Sequence, residues 1–324
     1  MAILINENTR VLVQGITGSA GRRLCKLMLD MGSQVLAGVT PGKAGETVAG
    51  VPVFDTVFQA KDAFPNLDAT FICTPPSSAR SSCFEAIAAG FKLIVLHTER
   101  VPLHDVLDVV SYAKELRARV IGPNTIGVLS PGRCLVGSQG ATVEYSRKIF
   151  LQGPCGVISR SGGQTTTLCY FLARNGIGAS TVVSTGGDAV VGTSIAELLE
   201  LFEKDQETKI VVAFGEIGTS AEEDAAAVIA ERKFTKPFII YVAGRFAMPE
   251  MRFGHAGAII TRGQGTADRK REVLKAAGAV VLESLSDVGV VAAGMLRRIS
   301  NEAPGQKRIY GGLRLWEKRL AKRS

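Results

Sequence analysis

Short apolar runs alternate with amphipathic stretches along this chain, and the alternation occurs twice. In the first half, residues 10–14, 34–39, 69–73, 92–96 and 119–121 read as buried strands. Helical patterns lie between them, for example over 21–32, 78–89 and 103–116. Strand and helix in strict order imply a parallel sheet with helices on both faces. From 125 to 153 the pattern lapses into Gly, Pro and Ser. It then restarts, with strands expected over 155–159, 181–184, 210–214 and 238–242. Helices are expected over 164–175, 194–204 and 222–232. The fold class is α/β: a Rossmann-like domain over 1–128, a linker over 129–152, a flavodoxin-like doubly wound domain over 153–304, and a basic tail over 305–324.

Charge and cysteine usage narrow the function classes. Of the formal net charge of +8, the tail holds +6, from seven Lys/Arg and Glu317. The body is therefore almost neutral, which argues against a nucleic-acid surface. The six cysteines form no C-x-x-C pair, so neither a zinc site nor a disulfide framework is indicated, and no metal ligands are assigned. Reduced thiols, no apolar leader and no membrane-length apolar run fit a cytoplasmic protein without a membrane partner.

The glycine loops carry the chemistry. After the first strand comes Gly15-Ile16-Thr17-Gly18-Ser19-Ala20-Gly21, where a helix N-terminus and two hydroxyls can receive a phosphate. Its G-x-x-G-x-x-G spacing differs from the G-x-G-x-x-G of dinucleotide dehydrogenases. The acid that bonds a ribose in NAD sites is also missing; the second strand ends Val39-Thr40-Pro41-Gly42-Lys43. A lysine there favours a phosphorylated ribose, as in coenzyme A or NADP. His97-Thr98-Glu99 ends the fourth strand at the same sheet edge.

In the second half, three loops follow three strands: Ser159-Arg160-Ser161-Gly162-Gly163-Gln164, Ser184-Thr185-Gly186-Gly187-Asp188 and Gly215-Glu216-Ile217-Gly218. Together they form a composite anion site at one sheet edge. His255, one of three histidines, sits in Phe253-Gly254-His255-Ala256-Gly257-Ala258, open among small residues. A neutral imidazole is a competent nucleophile toward an activated phosphoryl group. A carboxylate such as Glu216 would orient it and stabilise its positive charge.

These motifs, with Ile121-Gly122-Pro123-Asn124 and Gly265-Thr266-Ala267-Asp268, are similar to the alpha subunit of the succinyl-CoA synthetase family. The resemblance runs from about Ala2 to about Val291. Related modules occur in malate–CoA ligase, citryl-CoA synthetase and ATP citrate lyase. It implies an NDP-forming acid–CoA ligase working through a phosphohistidine at His255, steadied by Glu216, and an acyl phosphate. It implies coenzyme A held by Thr17, Gly18, Ser19, Ala20, Lys43, His97, Thr98 and Glu99. Phosphate and acid would lie at Ser159, Ser161, Gly162, Gly163, Thr166, Gly186 and Gly187. ATP or GTP, with Mg, would sit on an ATP-grasp beta subunit in a hetero-oligomer. Where the family reads S-R-S-G-T-L-T-Y-E, this chain has Thr166 and Thr167 in place of tyrosine and glutamate. That change suits a larger or more anionic acid than succinate. The rival classes are an NADP-dependent reductase and a non-catalytic CoA-binding protein; the His255 loop argues against both.

Overall fold

A computed structural model describes residues 2–140, 142–246, 255, 257–258 and 265–301. Two seven-stranded sheets organise them. The first half runs β1 (Arg10–Gln14), α1 (Ser19–Asp30), β2 (Gln34–Val39), β3 (Thr47–Val48), β4 (Val51–Phe54), α2 (Val57–Ala63) and β5 (Ala69–Ile72). It continues with α3 (Pro76–Ala88), β6 (Leu93–Leu96), α4 (Leu103–Glu115) and β7 (Arg119–Ile121). The sheet order is β3-β4-β2-β1-β5-β6-β7, parallel except for the β3–β4 hairpin.

The second half runs β8 (Gly127–Ser130), β9 (Cys134–Gly137), α5 (Val143–Ile149), β10 (Gln152–Ser159), α6 (Gly162–Ala173), β11 (Ala179–Ser184) and α7 (Ile195–Lys204). Then come β12 (Ile210–Gly215), α8 (Ala221–Ala230), β13 (Phe238–Val242), α9 (Ala267–Ala276), β14 (Val280–Val281) and α10 (Val288–Asn301). Its order is β14-β13-β12-β10-β11-β8-β9. Both sheets reverse direction beside their first parallel strand: between β1 and β5 in one, and between β10 and β12 in the other. In open α/β sheets a ligand crevice opens at such a point, outside the carboxyl ends of the strands.

The central strands are buried along almost their whole length, which is why they read as continuous apolar runs. Helix starts differ from the sequence expectation by up to two residues. Helix α3 begins at Pro76, whose fixed φ suits the first turn, and α6 begins just after Ser161, whose side chain accepts from the Gln164 N–H. Helix α7 opens with a full capping box between Ser194 and Glu197.

The segment 129–152, expected as a linker, is corrected: most of it is structured. Strand β8 pairs antiparallel with β11 and with β9, and α5 follows. The glycines at the paired ends of β8 and β9, Gly127 and Gly137, allow close strand approach. At Gly127, with φ +94, a Cβ would lie 2.1 Å from the Val136 carbonyl oxygen. The tail 305–324, with Phe253, Gly254 and Ala256 around the histidine, lies outside the described residues.

The two sheets share one apolar cluster that runs from Ile3 through Val157 to Val291. Ser33 Oγ donates to the Leu135 carbonyl at 2.7 Å and accepts from the Leu135 N–H at 2.8 Å, joining the α1–β2 turn to β9. Ile3 N donates to Thr181 Oγ1 on β11. Among the described residues no helix is long and apolar enough to cross a membrane.

All six cysteines are free, and five are buried. Burial pushes the Cys25 and Cys134 thiols up to about 11 and those of Cys73 and Cys83 to about 12. Since the thiolate is the reacting form, a disulfide reagent at mildly alkaline pH should label the native chain slowly, at Cys73 alone. All six should react after denaturant. Rapid labelling of two or more thiols in the native chain would contradict this packing.

Candidate functional site

At the switch point of the second sheet, β10 ends at Ser159 and β12 ends at Gly215, side by side. The residue after each strand, Arg160 and Glu216, is almost fully buried. Arg160 Nη2 lies 3.5 Å from Glu216 Oε1, an ion-pair distance. The guanidinium also donates to Thr219 Oγ1 at 2.8 Å and to the Asp188 carbonyl at 3.2 Å. Stranding one member of such a buried pair costs about 3–5 kcal/mol.

The other Glu216 oxygen, Oε2, receives His255 Nδ1 at 2.7 Å. Nδ1 must carry the proton in this bond, which leaves Nε2 as the free nitrogen. The His255 side chain is 29 % exposed, against 8 % for Glu216. The bond to Glu216 lifts the imidazole above its ordinary value, against the opposing pull of partial burial and of Arg160; Asp188 adds to the lift.

The Gly186–Gly187 loop presses on the ring. A Cβ on Gly187 would lie 2.5 Å from His255 Cγ and Cδ2, so only glycine allows this approach. Gly257 N, beyond the histidine, donates to the Gly187 carbonyl at 3.2 Å. The expected grouping of Glu216, Gly186, Gly187 and His255 is therefore present, and Arg160 and Asp188 complete it. Both stand inside motifs read from the sequence, but nothing in the spacing told which residue would turn inward.

The Ser159–Gly163 cradle forms the N-terminus of α6. Ser161 caps the helix, and Ser159 Oγ donates to the Ser161 carbonyl at 2.8 Å. Gly163 is exposed, with open space where a Cβ would project. Thr166 is half-buried, and Thr167 donates back to the Gly163 carbonyl at 3.3 Å. Thr125 donates to the Ser184 carbonyl, and Asn124 Nδ2 donates to Asp188 Oδ1 at 3.0 Å, so the chain crossing between the sheets touches this loop cluster.

At the switch point of the first sheet, α1 has no side-chain cap, and Gly18, Ser19 and Ala20 are exposed. The Ser19 and Ala20 N–H groups are therefore without a side-chain cap, a fit for phosphate, while the Gly18 N–H donates to the Gly15 carbonyl at 3.1 Å. Gly15 supports the turn: its φ is +80 and a Cβ would meet Cys73 and Thr74 backbone at 3.2 Å. Lys43 and Arg22 flank the loop, both near Glu46, at 3.0 and 3.6 Å. Arg22 Nε also donates to the Thr17 carbonyl at 2.8 Å; the sequence reading passed over this residue. His97 and Thr98 turn inward, to the carbonyls of Thr125 (2.6 Å) and Thr74 (2.7 Å), while Glu99 is exposed. Burial pushes the His97 imidazole below its ordinary value, so the ring is neutral, with its proton on Nδ1.

Known proteins are similar to this chain in sequence and fold. A family profile described as CoA binding domain matches residues 6–100, and one described as CoA-ligase matches residues 158–280. The succinate–CoA ligase [ADP-forming] subunit alpha 1 of Archaeoglobus fulgidus is 46 % identical over 288 residues, covering 89 % of this chain and 96 % of that one. An ADP-forming sulfoacetate–CoA ligase subunit of an Acholeplasma species is 42 % identical over 291 residues, covering 89 % of this chain and 96 % of that one. The structure of ATP citrate lyase from Methanothrix soehngenii, in complex with citrate and coenzyme A, matches with a TM-score of 0.86 at 25 % identity. That match covers 95 % of this chain, which spans 53 % of the lyase chain. The chain belongs to the alpha-subunit family of ADP-forming acid–CoA ligases. It is thus one subunit of a two-subunit ligase, and its N-terminal domain is a CoA-binding domain.

Gly187→Ala should push the imidazole off Glu216. With only three histidines in the chain, proton NMR should show the His255 titration midpoint falling toward the ordinary imidazole value. Overpacking of this kind costs about 1–3 kcal/mol, so the fold should survive. An unchanged midpoint would mean that the glycine is not what admits the ring.

Proposed function

We propose that His255 is the phosphoryl carrier of this ligase and that Glu216 is its partner. The observation behind the proposal is the Glu216–His255 contact at 2.7 Å, with Arg160 beside the other Glu216 oxygen and the His255 side chain 29 % exposed. In the forward direction, the Nε2 lone pair attacks the terminal phosphorus of the nucleoside triphosphate, and the diphosphate leaves. The ring then bears positive charge, which Glu216 balances without taking the Nδ1 proton. A carboxylate oxygen of the acid next attacks that phosphorus, the N–P bond breaks, and the neutral imidazole is regenerated with an acyl phosphate. Coenzyme A, when bound, supplies the thiol that takes the acyl group and releases phosphate. The N-terminus of α6, with Ser159, Ser161, Gly162 and Gly163, and the Gly186–Gly187 loop stabilise the phosphoryl charge during transfer.

For coenzyme A, the uncapped N–H groups of Ser19 and Ala20, in the exposed loop with Thr17 and Gly18, would hold its phosphates, and Lys43 with Arg22 its ribose phosphate. His97 and Thr98 would shape this edge from within, with Glu99 at its rim. The nucleotide, ATP or GTP with Mg, belongs on an ATP-grasp beta subunit. The domains divide at the crossing near Asn124, ahead of the β8–β9 hairpin. Six unpaired thiols fit a reducing cytoplasm.

The acid is proposed to be small and to carry an extra anionic or hydroxyl group. Thr166, Thr167 and the open face of Gly163 leave room and no charge where the family pattern has tyrosine and glutamate. Removing one repulsion is worth about 1 kcal/mol in a hydrated site, or several-fold in preference. Relatives named for succinate and for sulfoacetate are comparably similar to the chain. The double variant Thr166→Tyr/Thr167→Glu should shift a panel of citrate, malate, sulfoacetate and succinate toward succinate. No shift would remove these threonines from acid selection.

The lone chain should show no ligation with any acid, and activity should need the beta subunit. With that partner and labelled nucleotide, wild type should form an acid-labile, base-stable phosphoprotein. His255→Asn should form none yet keep CoA affinity, since Gly18–Ala20 lie on the other sheet; label retained in the mutant would place the carrier elsewhere. The pH profile tests Glu216. Only the neutral ring offers Nε2, so phosphorylation is lost as pH falls through the raised His255 value. Glu216→Gln should move that acid limb to lower pH while cutting the maximal rate about tenfold or more.

A further inference from the structure

Beneath the Glu216 loop lies a second ion cluster that the transfer chemistry does not use. Lys270 on α9 and Glu222 on α8 are both fully buried, and the Lys270 ammonium bonds directly to Glu222 Oε2. Lys270 also donates to the Gly218 carbonyl at 2.7 Å and lies 3.3 Å from Glu223. The other Glu222 oxygen, Oε1, accepts the Glu216 backbone N–H at 3.0 Å. Gly215 fits against it only because it lacks a side chain: a Cβ there would come within 2.6 Å of Glu222 Oε1. The far end of the loop is held as well, since Gly218 N donates to the Gly265 carbonyl at 2.8 Å.

A buried ammonium is a poor stabiliser, because desolvation cancels much of its attraction. Apolar residues of similar volume would serve the core as well. What apolar residues could not supply is the acceptor for Glu216 N–H and the donor for Gly218 C=O. These two bonds fix the short loop that carries Glu216. We infer that Lys270 and Glu222 form a positioning unit that holds the Glu216 carboxylate in register with His255. Lys270 neutralises Glu222, Glu222 anchors the Glu216 backbone, and Arg160 anchors the Glu216 side chain. The catalytic half of this inference rests on His255 as carrier; the geometric half does not.

The test removes the pair; Glu223, 3.3 Å from Lys270 and partly exposed, loses that cation equally in both double variants, so the comparison between them isolates the acceptor. In Lys270→Met/Glu222→Leu, Glu216 N–H loses its acceptor. In Lys270→Met/Glu222→Gln, an amide oxygen can replace it. His255 titration is followed by NMR on the full chain. The groups facing His255 (Glu216, Arg160 and Asp188) are untouched in both variants. The leucine form should lower the His255 midpoint and, with the beta subunit, cut kcat about tenfold to a hundredfold, leaving KM for CoA unchanged. The glutamine form should recover most of both. A wild-type midpoint in the leucine form, or no recovery in the glutamine form, overturns the inference. Should the leucine form fail to fold, Glu222→Asp withdraws the acceptor while keeping its charge opposite Lys270, and an unchanged midpoint there overturns the inference equally. A moved midpoint with full ligation would sustain the positioning unit and count against His255 as carrier.

Discussion

The Glu216–His255 contact depends on a carboxylate that is nearly buried yet charged. Such a group is costly unless each of its oxygens meets a cation or a donor. Here one oxygen faces Arg160 and the other faces His255. Neither partner is optional: without Arg160 one buried oxygen would face no cation, and without His255 the other would lose its hydrogen bond. The glycines at 187 and 257 follow from the same requirement, since both lie where a side chain would strike the ring or the guanidinium.

The sheet topology explains why these groups can converge. Strands β10 and β12 are neighbours, but the helices that follow them pass to opposite faces of the sheet, so their exit loops diverge and leave a crevice. Residues separated by more than fifty positions, Arg160 and Glu216, therefore meet within one residue of their strands. The first sheet repeats the device with β1 and β5, where the uncapped start of α1 points outward. Two crevices on one shared core give two loop clusters held at a fixed relation.

Legibility in the sequence followed burial. Strands buried on both faces, such as β6 and β12, show as unbroken apolar runs and were readable almost to the residue. The loops were readable because helix starts and tight turns demand glycine, serine and threonine. The β8–β9 hairpin was not, because its close-packed glycines resemble those of a linker until their strand partners are known. Lys270 and Glu222 were also hidden. Each looks like an ordinary charge on an amphipathic helix, and only the pairing of α8 with α9 turns both inward.

The crossing between the sheets carries the last step of the synthesis. Residues 122–126 leave β7 and at once touch three parts of the molecule. His97 donates to the Thr125 carbonyl, linking the crossing to the first sheet's edge. Thr125 donates in turn to Ser184 at the end of β11, and Asn124 holds Asp188. Asp188 then accepts from Arg160 through its own carbonyl. A continuous path of hydrogen bonds thus runs from the edge beside the α1 loop to the guanidinium behind Glu216. Hydrogen bonds of this kind fix direction as well as distance, so the path adds to the shared core in setting the two crevices in register. In the proposed reaction, where a phosphoryl group passes from His255 to the acid and the acyl group then passes to the thiol of coenzyme A, that register is the quantity the fold has to control.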